Sequence, residues 1–165
     1  MFQPNLDKNA PECLVGKLLS RQGLTMSCAE SCTGGLLSAR LTAVPGSSAY
    51  VIGGIVSYCN KVKEQQLGVG QHDLETVGAV SETVARQMAE GVRRKLDTDI
   101  GVGITGIAGP GGATEGKPLG LVYIAVAGAK DTIVTRNVFT GDRQQVRWQS
   151  TEKALSMVLE QLQQD

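Results

Sequence analysis

The chain has 165 residues, 41% of them hydrophobic and only 4% aromatic, and its 16 basic and 16 acidic side chains balance to a formal charge of zero. A chain of this length buries roughly two-thirds of its unfolded surface in one core without metal or disulfide staples, so a single domain over residues 1–165 is expected. The even charge and scarce aromatics argue against both the basic footprint of a DNA binder and the stacking surface of a single-strand binder, so no direct nucleic-acid partner is expected.

Met1-Phe2-Gln3-Pro4-Asn5 lacks a basic stretch followed by an apolar run. The longest apolar stretch, residues 119–129, contains two glycines and falls short of the roughly 20 residues that span a bilayer. A cytoplasmic protein with no membrane partner is expected. Residues 10–22 place Leu14, Leu18 and Leu19 on one helical face, with Gly23 as a stop. Residues 24–29 read as a short strand, and a second helix over 33–43 ends at the turn Pro45-Gly46-Ser47-Ser48. The β-branched run over 50–59 reads as a strand, in which Gly53-Gly54 marks a close backbone approach or a bulge. A helix carrying Lys61, Lys63, Glu64 and Leu67 follows, then a polar connection through Gly70 and His72, then a helix capped by Ser81 and running to about Leu96. Residues 100–104 form a buried strand, and 121–126 with 132–139 a hairpin turning at 128–131. A last helix, with Asp142 near its start, carries Val146, Ala154, Leu155, Val158, Leu159 and Leu162 at core-facing spacing. This alternation predicts an α/β fold, and the hairpin makes its sheet mixed.

Gly101-Val102-Gly103-Ile104-Thr105-Gly106 matches the dinucleotide-binding pattern GxGxxG, but the first glycines lie inside a strand. The chain then enters Gly109-Pro110-Gly111-Gly112, which no helix tolerates. The motif needs a strand that opens into a helix, so the Rossmann reading is rejected. What remains is a strand ending at Thr105 and a loop to Pro118 whose N–H groups suit a phosphate or ribose; composition equally allows a plain surface loop.

The four cysteines, at positions 13, 28, 32 and 59, include no CxxC pair, and reduced thiols are expected. A Cys3His zinc site from Cys28, Cys32, Cys59 and His72 would have only one close ligand pair, Cys28-x3-Cys32, where structural zinc normally uses two, so no metal and no organic cofactor is expected. The single histidine, His72, sits in a polar connection with no evident triad partner. Attention falls instead on Cys28-Ala29-Glu30-Ser31-Cys32-Thr33-Gly34-Gly35, which sets a serine, a carboxylate and free backbone N–H groups at a helix start, where oxyanions bind. The remaining general base is a lysine, Lys63, in a Ser-Lys variant of triad logic. With a reference pKa near 10.4, lysine is almost wholly protonated at neutral pH. A drop to roughly 7–8, by desolvation and a positive neighbour, takes about 3–5 kcal/mol that only a buried site supplies. Tyr58, at the end of the 50–59 strand, is expected to relay or orient a proton. Taken singly, Lys63 reads more readily as one of many solvated lysines and Glu30-Ser31 as a helix cap.

Together, Ala29-Glu30-Ser31-Cys32-Thr33-Gly34-Gly35, Pro45-Gly46-Ser47-Ser48, Tyr58-Cys59-Asn60 with Lys63, Gly78-Ala79-Val80-Ser81 and Thr105-Gly106-Ile107-Ala108-Gly109-Pro110 strongly resemble the CinA C-terminal domain family. Lys117-Pro118-Leu119-Gly120 and Gly141-Asp142-Arg143, followed by Arg147, extend the resemblance over nearly the whole chain. The resemblance implies a three-layer α/β/α sandwich and a nicotinamide-nucleotide amidohydrolase, which turns nicotinamide mononucleotide and water into nicotinate mononucleotide and ammonia. It implies Ser31 as nucleophile, Lys63 as general base and Tyr58 as proton carrier or orienting group. N–H groups around residues 32–35, including those of Thr33, Gly34 and Gly35, would hold the oxyanion, with the hydroxyl of Thr33 or Thr105 as an extra donor. Asn60 and Gly106 are expected to contact substrate, and Arg143 and Arg147 to hold its phosphate, since guanidinium forks suit phosphate oxygens. In this family the domain often follows a larger one with nucleotide pyrophosphatase chemistry, which is not in this sequence, so no pyrophosphatase activity is expected. The glycine-rich strands and the resemblance point to a homodimer or higher homo-oligomer. Two other readings make distinct predictions: a silent nucleotide-binding or regulatory module, and a zinc hydrolase sensitive to chelator but not to Ser31→Ala.

Overall fold

The computed structural model describes residues 6–164; the Met1 to Asn5 segment, read above for a leader, lies outside them. Helix α1 (Pro11–Gln22) starts on a proline, whose missing N–H is an orphan at that position anyway, and stops at Gly23 with φ 67°. There follow β1 (Met26–Glu30), α2 (Leu36–Thr42), β2 (Val51–Val56), α3 (Asn60–Leu67), α4 (Gln71–Thr76), α5 (Glu82–Lys95), β3 (Ile100–Gly106), β4 (Leu121–Ala127), β5 (Thr132–Val138) and α6 (Arg143–Gln164). The five strands form one sheet in the order β2-β1-β3-β4-β5. β1 runs parallel to β2 and β3, whereas β4 is antiparallel to β3 and β5. Helices α1, α2 and α6 cover one face and α3, α4 and α5 the other. The expected three-layer α/β/α sandwich with a mixed sheet is what the chain forms.

Side-chain alternation along β3 sets the spacing of these layers. Ile100, Val102 and Ile104 face the larger core with Leu19, Leu37, Leu155 and Val158. Gly101 and Gly103 face α5 so closely that an added Cβ would lie 2.2 Å from the Ala89 carbonyl and 2.6 Å from the Ala85 carbonyl, respectively. These glycines of the false nucleotide motif are therefore packing residues, which let the Ala85 and Ala89 face of α5 lie against the sheet beside Ala125 and Ala127.

Some boundaries differ from the sequence reading, each for a local reason. The buried face of α1 carries Glu12, Val15, Gly16 and Leu19, while Leu14 and Leu18 are only half-buried. Glu12 turns inward because Arg40 of α2 meets it at 2.8 Å; Arg40 also bonds Thr151 of α6 and pairs with Glu152, and the Trp148 ring lies 4.0 Å from its guanidinium. α2 begins at Leu36 instead of Thr33, because Gly34 and Gly35 take φ of 57° and 99°, which breaks the helical run. β2 ends at Val56, leaving Tyr58 and Cys59 beyond the strand, and the polar connection around His72 contains the short helix α4. Gly54 does mark a close approach, since a Cβ there would lie 2.6 Å from Ser38 Oγ, and the β1–β2 register shifts at Met26/Ser27.

The chain passes from β1 to β2 through α2 on one face, and from β2 to β3 through α3, α4 and α5 on the other. Connections leaving on opposite faces open a crevice at the carboxyl ends of the parallel strands, where ligands of α/β sheets bind. No helix among the described residues is long and apolar enough to cross a membrane.

Candidate active site

The residues following β1, β2 and β3 meet at that crevice. Ser31 continues the β1 ladder by donating its N–H to the Ile104 carbonyl, and Ser57 does the same from β2 to the Glu30 carbonyl. The next residues turn inward around a cavity of about 280 Å³ lined by Ser31, Tyr58, Asn60, Lys63, Thr105 and Arg143 among others. A larger concavity, about 780 Å³, lies between α1 and the residues 44–46 turn and contains neither Ser31 nor Lys63.

Lys63 is 1% exposed. Its Nζ lies 3.0 Å from Ser31 Oγ, 2.7 Å from the Ser57 carbonyl and 3.5 Å from that of Tyr58. No carboxylate pairs with it among the described residues. Burial, the largest cause, pushes its pKa below the ordinary lysine range, with Cys59 and Cys32 acting the other way. The positive neighbour expected from the sequence plays no part; desolvation does the lowering. A neutral amine has two N–H donors and one lone pair, so the two carbonyls can take the donors and leave the lone pair for the Ser31 hydroxyl proton.

The carboxylate next to Ser31 in the chain, Glu30, is committed elsewhere. Its Oε1 accepts the Leu37 N–H at 2.8 Å, and its Oε2 accepts the Ser38 N–H at 3.1 Å and the Ser38 hydroxyl at 2.8 Å. It thereby caps α2 from outside the helix, where a negative charge also suits the dipole. The neighbouring Cys32 thiol is pushed up to about 11, chiefly by burial. It stays protonated and is a poor nucleophile at neutral pH.

The other expected site residues divide into two groups. Tyr58, Asn60, Thr105, Gly106 and Arg143 line the cavity; Thr33, Gly34, Gly35 and Arg147 do not. Tyr58 is 60% exposed, not buried at a strand end, and its hydroxyl accepts from Arg143 Nη2 at 2.9 Å, so it stands at the rim. Arg143 Nη1 also donates to the Gly109 carbonyl at 2.9 Å, tying the rim to the glycine-rich loop. The Thr105 hydroxyl donates to the Ala79 carbonyl at 2.9 Å and the Gly34 N–H to the Ser31 carbonyl at 3.0 Å. Neither is then free for an oxyanion. The N–H groups of Cys32, Thr33 and Gly35, by contrast, donate to no main-chain carbonyl, and of these three residues only Cys32 lines the cavity.

Arg147 reaches the turn behind Ser31, with Nε 3.2 Å from the Cys32 carbonyl and Nη2 2.9 Å from that of Thr33. The cysteines are free, and among the described residues no three His, Cys, Asp or Glu side chains are grouped as metal ligands.

The CinA C-terminal domain pattern matches residues 8–162. The chain belongs to that family. It is 51% identical over 141 residues to a putative competence-damage inducible protein of Halothermothrix orenii, covering 85% of this chain and 34% of that protein. It is 51% identical over 153 residues to one of Desulforudis audaxviator, covering 93% and 37%. This CinA domain thus spans about a third of the curated relatives it matches. The crystal structure of the competence/damage inducible protein CihA from Agrobacterium tumefaciens superposes with a TM-score of 0.89 at 38% identity, covering 96% of this chain and 99% of that one. A CinA superfamily protein from Klebsiella pneumoniae gives a TM-score of 0.92 at 31% identity, covering 97% and 100%.

Sequence reasoning left out two features of the CinA site. One is the pair of carbonyls around Lys63 Nζ, which have no signature in residue type. The other is the Ala79 and Val80 wall, whose only signal is its place in the Gly78-Ala79-Val80-Ser81 motif.

Proposed function

We propose that this CinA-family domain is a nicotinamide mononucleotide deamidase working through an acyl-enzyme on Ser31. The observation that carries the reading is the buried Lys63 amine, 3.0 Å from Ser31 Oγ and without a carboxylate partner. Lys63 takes the Ser31 proton as Oγ bonds to the carboxamide carbon, and the resulting oxyanion meets the Cys32 N–H. The ammonium then protonates the departing nitrogen, the C–N bond breaks and ammonia leaves. Water adds to the Ser31 ester, gives its proton to Lys63, and the proton returns to Oγ as nicotinate mononucleotide is released. All bonds and protons are accounted for by substrate, water and these two side chains. Arg143, at the rim with Tyr58, is assigned to the substrate phosphate, with Asn60 beside it at the start of α3.

Ammonia release from nicotinamide mononucleotide in chelator-containing buffer tests this directly. Chelator-resistant turnover is expected; measurable nucleotide binding without ammonia would instead support a regulatory module. Arg143→Ala is expected to raise KM for the nucleotide about 10- to 100-fold, the value of one or two charge-assisted hydrogen bonds. The KM for the riboside lacking the phosphate should hardly move. The pH profile has a definite sign, because the reactive Lys63 is the unprotonated form and its pKa is lowered. As pH rises, kcat/KM should climb about tenfold per unit and level off below the ordinary lysine range. A rise that continues to the usual lysine pKa would remove Lys63 from this role.

A further inference from the structure

Three of the five Arg147 N–H donors are engaged within the protein, two of them by main chain. Besides the Cys32 and Thr33 carbonyls, its Nη1 donates to Gln144 Oε1 at 2.8 Å, so Nε, Nη1 and Nη2 each already have an acceptor. Its two main-chain contacts cross from α6 to the residues just after Ser31.

A trans peptide unit points its N–H opposite to its C=O, and among the described residues the only cis bond is Gly109–Pro110. Holding the Thr33 carbonyl, which Arg147 does together with the Leu36 N–H at 3.0 Å, therefore fixes the direction of the Gly34 N–H. That N–H donates to the Ser31 carbonyl at 3.0 Å. With the Ser31 carbonyl turned toward Gly34, the N–H of the same peptide unit, that of Cys32, turns the other way. Cys32 lines the cavity, and this N–H donates to no main-chain carbonyl, meeting only the thiol of its own residue. Gly34, with φ 57°, makes the turn sterically possible.

We propose that Arg147 is a positioning residue: by holding the Cys32 and Thr33 carbonyls it aims the Cys32 N–H at the oxyanion, and it does not contact the substrate phosphate. The assignment rests on the amidase reading for its substrate, but the geometry it controls belongs to Ser31 whatever the acyl group. Arg147→Gln and Arg147→Lys, neither of which can span both carbonyls as a planar fork does, are the variants to examine. Their kcat and KM are to be measured on nicotinamide mononucleotide and on its riboside, together with the rate at which a fluorophosphonate labels Ser31, followed by intact mass.

Loss of an oxyanion donor's alignment predicts a fall in kcat of about 100-fold. The fall should be equal on both substrates, with KM unchanged and Ser31 labelling slowed by a similar factor. A KM rise confined to the nucleotide, with kcat retained, would make Arg147 a phosphate ligand and overturn the proposal; so would unchanged labelling. If the wild type releases no ammonia yet Arg147→Gln still slows labelling, the amidase reading falls and the positioning role stands. If wild-type Ser31 is not labelled at all, both fall. Should Arg147→Gln fail to fold, Arg147→Lys carries the same measurements.

Discussion

Replacing Ser31 with alanine, or Lys63 with methionine, is expected to lower kcat for nicotinamide mononucleotide by about 10⁴-fold or more, and the double substitution to cost no more than either single one. The non-additivity follows from the 3.0 Å contact between the two side chains. Lys63 serves only to move the Ser31 proton, so once the nucleophile is gone the base has nothing to do, and the reverse holds as well. Steady-state ammonia release by the two single variants and the double variant checks this. Losses that multiply would mean the two residues act in separate steps, and the acyl-enzyme scheme would have to be abandoned.

Methionine at position 63 also separates catalysis from stability. The folded-state pKa of Lys63 is lowered by burial. Between that pKa and the unfolded value the unfolded chain binds a proton that the folded chain does not, so wild-type stability rises with pH through this window. The variant lacks that dependence. Its melting temperature relative to wild type should therefore be most favourable at low pH and lose ground as pH rises through the window, while its activity stays absent throughout.

Gly101→Ala is expected to destabilise the fold by about 3 kcal/mol, the upper end for an overpacked core, or roughly 6–12 °C in melting temperature for a chain of this size. The new carbon would lie 2.2 Å from the Ala89 carbonyl and 2.7 Å from Arg93 Cβ. Backbone cannot yield there as a flexible side-chain end would, so α5 must lift from the sheet. Gly111→Ala is the matched control, since nothing lies within 4 Å of its added Cβ; it should change stability by about 0.5 kcal/mol or less. Urea or thermal unfolding of the pair decides the matter, and equal stabilities would refute the packing account of the β3 glycines.

Residue patterning already carried much of this architecture. The hairpin of β4 and β5, the Ser81 cap of α5 and the long α6 all follow from local signals, since the Ser81 side chain does accept the Val84 N–H. Rejecting the GxGxxG motif was also possible from sequence, because Gly109 to Gly112 forbids the helix that motif requires. What no local pattern could supply is the partner of each polar side chain. Leu14 and Leu18 looked like the inward face of α1, yet Glu12 is buried there because Arg40 comes from α2. Arg143 and Arg147, one turn apart, read as equivalent phosphate forks, and only the fold separates the one lining the cavity from the one bound to residues 32 and 33. Ser31 and Lys63, 32 positions apart, meet because β1 and β2 are neighbouring parallel strands.

The stack of Arg40 on Trp148 has a practical consequence. Trp148 is the sole tryptophan of the chain, is 49% exposed and immediately follows Arg147. Its indole therefore sits on the helix that grips the nucleophile turn, under a cation reaching in from α2. The protein carries its own optical gauge: a shift of α6 relative to α2 changes the indole's surroundings, and intrinsic emission can follow the event in real time without a label.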